Sequence, residues 1–166
     1  NTSPFTSYNY HGKGNFASMV DVVVLGATEV DVDFNANVVT HSDGRLLHGI
    51  GGWQNCLFSK CSILAVPSVR DRIPVILDRV TTMVGPGELV DVIATERGLC
   101  VNPRRKDLLE AACGSEVPIL EIHELKDQID RLCGGTVAAP RFGEEFVAAI
   151  KWVDGTVIDG VRRVLA

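Results

Sequence analysis

Three glycines fall within four residues in the stretch LLHGIGGWQNC, at Gly49, Gly51 and Gly52. Glycine has no Cβ, so such a cluster serves one of three ends: a phosphate cradle, a tight turn of positive φ, or a loop that aims backbone N–H groups at developing negative charge. The dinucleotide fingerprint G-x-G-x-x-G fails at its third position, where Gln54 stands, and the sequence offers no convincing helix start behind it. No Gly-Lys-Ser/Thr follows, so a Walker A loop fails too. Nicotinamide and flavin cofactors are therefore not expected, and the sharp turn and the oxyanion-binding loop stay open.

Few other groups are arranged for chemistry. The five cysteines, at 56, 61, 100, 113 and 133, are odd in number and contain no C-x-x-C. Reduced thiols are expected, with neither a disulfide framework nor a metal site. His11 stands in a polar loop, where a lone histidine is solvated.

The 166 residues suit one domain with a sizeable core. Apolar residues make up 46% and charged residues 22%, a globular balance, and the net charge is −5. That charge argues against nucleic acid or an anionic membrane as partner, since both select clustered Lys and Arg. No apolar run approaches the roughly 20 residues that span a bilayer. No signal peptide is visible, so a cytoplasmic location is expected. The chain opens on Asn1, which reads as the later part of a longer polypeptide or a processed one.

Residues 1–15 are polar and turn-rich and read as a lead-in loop; residues 16–166 read as a single domain. MVDVVVLGA (19–27) predicts a buried strand. In 28–40, Val30, Val32 and Phe34 alternate with Glu29, Asp31, Asp33 and Asn35, and Asp43-Gly44 predicts a hairpin turn within 28–48. CSILAVPS, IPVILDRVTTMV and LVDVIATERG read as further strands. VNPRRKDLLEAACG reads as a helix N-capped by Asn102, with Pro103 at its first position and Gly114 at its stop. PILEI is a strand candidate, and HELKDQIDRLCGG a helix with Leu125, Ile129 and Leu132 on one face. Asp154-Gly155 between two apolar runs predicts a closing hairpin. Together these predict an α/β domain, a mostly parallel sheet flanked by helices with antiparallel hairpin additions.

A series of blocks then carries a resemblance. GATEVDVDFNANVVTHSDGRLLHGIGGWQN is similar to the CoA-transferase block that runs Gly-Ala-x-Gln-Val-Asp, a Gly/Asn-rich turn, then Gly-x-Gly-Gly. DVVVLGATEVD, VRDRIP, DRVTTMVGPGELVDVIATERGLCVNPRRKDL and DGTVIDGV resemble, in order, one branch of that superfamily, the citrate lyase alpha subunits. The likeness covers residues 18–163. It implies the C-terminal half of a two-domain CoA-transferase fold. It also implies a reaction, in which citrate exchanges for acetate on a CoA or phosphopantetheine thioester of an acyl-carrier protein, before a lyase subunit splits the citryl thioester.

In that setting Gly49, Gly51 and Gly52 would supply the oxyanion-binding amides. Asn35 and Asn37 would orient a carboxylate or the pantetheine amides, or else form Asx turns. Arg70 and Arg72 would clamp citrate carboxylates, or else pair with Asp71 or Asp78. No Ser-Glu-Asn-Gly segment, home of the nucleophilic glutamate elsewhere in the superfamily, occurs here: either it lies in sequence outside this chain or this branch transfers directly between acyl groups. Glu29 stands where the wider family often has Gln, and reads as a nucleophile or as a solvated strand-end carboxylate. The branch's Gly-Gly-His-x-Asp is replaced by Gly52-Trp53-Gln54-Asn55, which would put an indole in the substrate pocket, with His48 as a stand-in donor. Two alternatives remain: a CoA-transferase for another carboxylic acid, and a non-catalytic scaffold that binds acyl-CoA.

Overall fold

The computed structural model describes residues 19–135, 138 and 140–165; the expectations for residues 1–15 and His11 fall outside them. In chain order the strands are β1 Val22–Leu25, β2 Glu29–Asp31, β3 Ala36–Asn37, β4 Cys61–Ala65, β5 Val69–Arg70, β6 Ile73–Pro74, β7 Ile76–Leu77, β8 Val92–Thr95, β9 Gly98–Val101, β10 Phe142–Lys151 and β11 Val157–Val164. The helices are α1 Trp53–Cys56, α2 Lys106–Ala111 and α3 Ile122–Cys133.

The main sheet runs β1-β4-β8-β9, with the first three strands parallel and β9 antiparallel. A small sheet, β3-β2-β7, is half parallel, and β5-β6 and β10-β11 are antiparallel ribbons. The domain is thus mixed α/β. Only its main sheet is mostly parallel, and its helices are few: α3, the longest, packs chiefly on β6 and β7. Leu64, Ile76, Ile93, Leu125 and Ile129 are wholly buried and join the sheets to α3.

The closing hairpin forms where Asp154-Gly155 places it, with Trp152 N–H bonded to Thr156 O at 2.8 Å. Helix α3 also forms. Its start is fixed by Glu121, whose carboxylate accepts from His123 N–H and Glu124 N–H at 2.8 and 3.2 Å. Its buried face is Ile122, Leu125, Lys126 and Ile129; Leu132, expected on that face, is 60% exposed. Lys126 is buried yet paired, with Asp130 at 2.8 Å and Asp78 at 3.2 Å.

Several elements differ from their sequence reading. β1 is not buried on both sides: Val22 and Val24 are 55% and 62% exposed. β2 does not alternate, because Glu29, Val30 and Asp31 are all buried and the strand stops at Asp31, whose carboxylate accepts from Asp33, Asn35 and Val80 N–H groups. IPVILDRVTTMV yields only β6 and β7; its remainder is loop that supplies backbone donors to buried acids. PILEI forms no strand beyond one bridge from Ile119 to Leu99. Asn102 does not cap α2. Its amide donates to Gly87 O and Val90 O at 2.9 and 2.8 Å, and the helix opens later, after Arg105. A side chain with two carbonyls in reach inside the core satisfies more polar groups there than at an exposed helix end.

All five cysteines are free thiols. Burial pushes the Cys100 thiol up to about 12, whereas Cys113 is exposed. The thiolate is the nucleophile. Peptide-mapped maleimide labelling of native protein at neutral pH should therefore modify Cys113 first and leave Cys100 intact.

Candidate active site

In open α/β sheets ligands bind beyond the carboxyl ends of parallel strands. At the carboxyl end of β1 the chain runs Gly26-Ala27-Thr28 into β2. Two side chains from distant segments converge on its three carbonyls. Trp53 Nε1 donates to Gly26 O at 2.9 Å. Arg70 donates to Thr28 O at 3.2 Å and to Ala27 O at 3.3 Å. The Trp53 ring also lies on Gly85, where a Cβ would stand 2.5 Å from Cζ3.

These contacts hold the glycine loop. A one-turn helix, α1, does follow Gly52, contrary to the sequence reading, and Trp53 is its first residue. Buried Gln54 pins the same turn by donating to Val84 O at 3.0 Å. With the start of α1 held by Trp53 and Gln54, the loop before it is tied to the end of β1. Gly51 has φ 60° and is exposed, with open space where a Cβ would sit; Gly49 is open as well. The N–H groups of Gly49, Gly51 and Gly52 meet no acceptor among the described residues. On the loop's other side, residues 46–50 and the β10-β11 ribbon wall an apolar groove of about 520 Å³, with His48 and Lys151 in its lining. His48 is exposed, its Nδ1 2.9 Å from Gly49 O.

Trp53 is therefore an anchor of the loop, with its indole N–H committed to backbone. Trp53→Phe removes the indole N–H and also the Cζ3 and Cη2 atoms that lie on Gly85, so the loss in a urea melt should exceed the roughly 0.5–1.5 kcal/mol of the hydrogen bond alone.

Glu29 is neither solvated nor open to a substrate. It is wholly buried, and its carboxylate accepts from Asn37 Nδ2 and Thr81 N–H at 2.8 Å each and from Thr81 Oγ1 at 3.0 Å. Asn37 is wholly buried too. It donates also to Thr40 O and Thr40 Oγ1, and its own oxygen accepts from Val39 and Thr40 N–H groups. Asn35 joins Asp31 to Gly87: it donates to Asp31 Oδ2 at 3.2 Å and accepts Gly87 N–H at 2.9 Å. A Cβ on Gly87 would stand 1.9 Å from Asp33 O, so this close approach admits only glycine. Both asparagines are thus spent on the fold, Asn37 in part through a local Asx turn and Asn35 through bonds to Asp31 and to Gly87, 52 residues away. Desolvation raises the Asp31 pKa, and the hydrogen bonds from Val80 and Asn35 oppose that rise.

Arg70 and Arg72 do not act as a pair. Arg70 turns inward to β1, while Arg72 is exposed at the tip of a two-residue turn whose residues Asp71 and Arg72 have φ 48° and 68°. Neither bridges to Asp71 or Asp78; Asp78 is taken by Lys126. A polar group that sequence reasoning missed lies at the ends of β4 and β8. Buried Ser68 donates through Oγ and N–H to Glu96, and Arg97 Nε donates to Ser68 Oγ at 3.0 Å. Desolvation raises the Glu96 pKa, yet the Ser68 bonds outweigh it and hold the carboxyl below its usual range. Nothing local in TERG or VPSV signals this pairing across 28 residues.

Among the described residues no set of acidic, histidine and cysteine side chains is placed to hold a metal ion, and no helix is long and apolar enough to cross a membrane.

Against known proteins, residues 3–164 match the family model described as citrate lyase, alpha subunit (CitF). The chain is 39% identical over 157 residues to the citrate lyase alpha chain of Escherichia coli, and 38% identical over 157 residues to that of Haemophilus influenzae. Each match covers 94% of this chain and 31% of the relative. The alpha subunit of citrate lyase from Streptococcus mutans, solved in complex with citrate, superimposes with a TM-score of 0.90 at 40% identity, covering 100% of this chain and 31% of that one. The chain thus spans about a third of the length of these relatives.

Proposed function

Because the chain belongs to the citrate lyase alpha subunit family, we propose that it forms part of a citrate CoA-transferase, which exchanges acetyl for citrate on a thioester. A citrate carboxylate oxygen adds to the acetyl thioester carbonyl, and the tetrahedral oxyanion expels the carrier thiolate. The mixed anhydride that results is attacked by the same thiolate at its citryl carbonyl, and acetate leaves. Both additions build negative charge on a carbonyl oxygen, and each collapses without a net proton change. The carrier is CoA or the phosphopantetheine arm of an acyl-carrier protein, a substrate rather than a resident cofactor. A lyase subunit is the partner that consumes the citryl thioester.

The observation that supports this reading is the glycine loop: Gly49, Gly51 and Gly52 N–H groups without acceptors among the described residues, tied to the carboxyl end of β1 by Trp53. Preorganised donors at a developing oxyanion are the largest single contribution in acyl transfer, and one such donor is worth roughly 10²–10³ in kcat. Half-buried Arg70 places a cation beside the same strand end, suited to a citrate carboxylate. Buried Glu29 is not open to an acyl group, which leaves direct transfer between acyl groups or a glutamate supplied from outside this stretch.

The test replaces the matched stretch of the Escherichia coli chain with residues 1–166. The chimaera should release acetate and form citryl thioester from acetyl thioester and citrate. Transfer to a different acid alone would point to the other-acid reading. No transfer with any of a dozen common acids would leave a non-catalytic scaffold. The 166 residues alone should be inactive, since the site of a two-half transferase lies between its halves.

A further inference from the structure

Arg70 belongs to the β5-β6 hairpin, whose base is bonded to the turn after β8 and whose Arg70 side chain is bonded to the segment after β1. The two strands are two residues each, and Asp71 and Arg72 between them both hold left-handed φ, 48° and 68°. Such a conformation costs a residue with a Cβ about 1–2 kcal/mol. So short a ladder does not hold a strained turn in water, and the hairpin is therefore held from outside. On the β6 side, α3 packs on the strand, and Val75 O accepts Val30 N–H at 2.9 Å. The β5 side is held at Ser68. Its N–H donates to Glu96 Oε2 at 2.9 Å and its Oγ donates to Glu96 Oε1, while its carbonyl accepts Val75 N–H at 3.1 Å and closes the base of the hairpin. Arg97 Nε donates to the same Oγ at 3.0 Å. An arginine only donates, so the Ser68 hydroxyl proton must go to Glu96. Glu96 and Arg97 stand in the β8-β9 turn, which is fixed by Thr95 Oγ1: it accepts from Arg97 N–H and donates to Gly98 O, at 3.1 Å each.

We propose that Glu96 is a positioning residue: through Ser68 it holds the hairpin where the Arg70 guanidinium reaches Ala27 O and Thr28 O and can meet a substrate carboxylate. The two bonds to those carbonyls, at 3.3 and 3.2 Å, use two of the five N–H donors of the guanidinium, which leaves donors for a carboxylate. Ser68 is 1% exposed. Loss of the Glu96 carboxylate leaves its N–H and hydroxyl buried without an acceptor, a penalty relieved when residues 68–70 shift toward water. Arg70, two residues on, shifts with them. Glu96 thus acts on the substrate only through Ser68 and Arg70. This inference rests on the transferase reading.

The test uses the Escherichia coli chimaera carrying Glu96→Ala or Glu96→Gln, each alone and together with Arg70→Ala. Glu96→Ala should raise KM for citrate roughly tenfold and lower kcat less than about threefold. Glu96→Gln keeps an amide oxygen that accepts from Ser68, and should recover most of that loss. In the Arg70→Ala background neither substitution should raise KM further, the coupling expected of a residue that acts through Arg70. An unchanged citrate KM for Glu96→Ala, or effects of Glu96→Ala and Arg70→Ala that multiply, would overturn the inference. Peptide-mapped amide exchange across residues 69–75 reads the hairpin without turnover. Glu96→Ala should speed it at least about tenfold while exchange in α3 stays as in the parent. Unaltered exchange across 69–75 would overturn the inference. A parent chimaera that transfers nothing would sink the transferase reading alone, and the exchange result would then decide whether Glu96 places Arg70.

Discussion

Gly51→Val in the chimaera should lower kcat for acetyl–citrate exchange by roughly 10²–10³ and leave the fold in place. The two effects separate because of where Gly51 stands. A Cβ there meets nothing within 4 Å, so no packing is broken. Its φ of 60° is a left-handed conformation, which costs a residue with a Cβ about 1–2 kcal/mol. Relief of that strain would turn the Gly51-Gly52 peptide away from its aim, and the N–H donors would leave the oxyanion. Gly114→Val is the control. Gly114 also has positive φ, 80°, and open space around it, but lies far along the chain after α2. It should show the same modest stability loss in a urea melt and no change in kcat. Equal activity losses at both positions would trace the effect to strain alone and remove the loop from the mechanism.

Glu29→Ala should destabilise the chain by about 3–5 kcal/mol, enough to unfold a marginal domain. Removal of the carboxylate strands three donors inside the core, the Thr81 N–H, the Thr81 hydroxyl and one Asn37 N–H. Each unsatisfied buried group costs about 1–3 kcal/mol. Glu29→Gln keeps one acceptor oxygen and nearly the same volume, so about 1–2 kcal/mol of loss is expected, measured by urea denaturation. Its transfer activity per folded molecule should match that of the parent. A folded Glu29→Gln protein without transfer would restore the glutamate as nucleophile and overturn direct acyl exchange.

These two positions also mark the boundary of what the sequence reveals. The glycine cluster and its following Trp53 are adjacent in the chain, so their grouping is legible, as are the Asp154-Gly155 hairpin and α3, each specified by residues within a few positions. The family resemblance is likewise a run of local blocks in order. Glu29 was legible only as a carboxylate at a strand end. Its neighbours in sequence, Thr28 and Val30, say nothing about Thr81, which stands 52 residues away and fills its acceptors. Period-two alternation set Glu29, Asp31 and Asn35 on the side opposite Val30, Val32 and Phe34, yet Glu29 and Asp31 are buried along with Val30. Loop 78–87 folds back over that face and supplies the N–H groups of Val80, Thr81 and Gly87.

The amino-acid order by itself determined the class of domain, its local turns, its longest helix and the cluster of bare backbone at Gly49, Gly51 and Gly52. Only the tertiary structure decided which polar side chains stay free for a substrate. Asn35, Asn37 and Glu29 are consumed as buried hydrogen-bonding groups, Arg72 is left at a hairpin tip, and Trp53 and Arg70 close on the carbonyls at the end of β1. The physical reason is that a buried polar group must find partners wherever the chain brings them, and those partners lie tens of residues away.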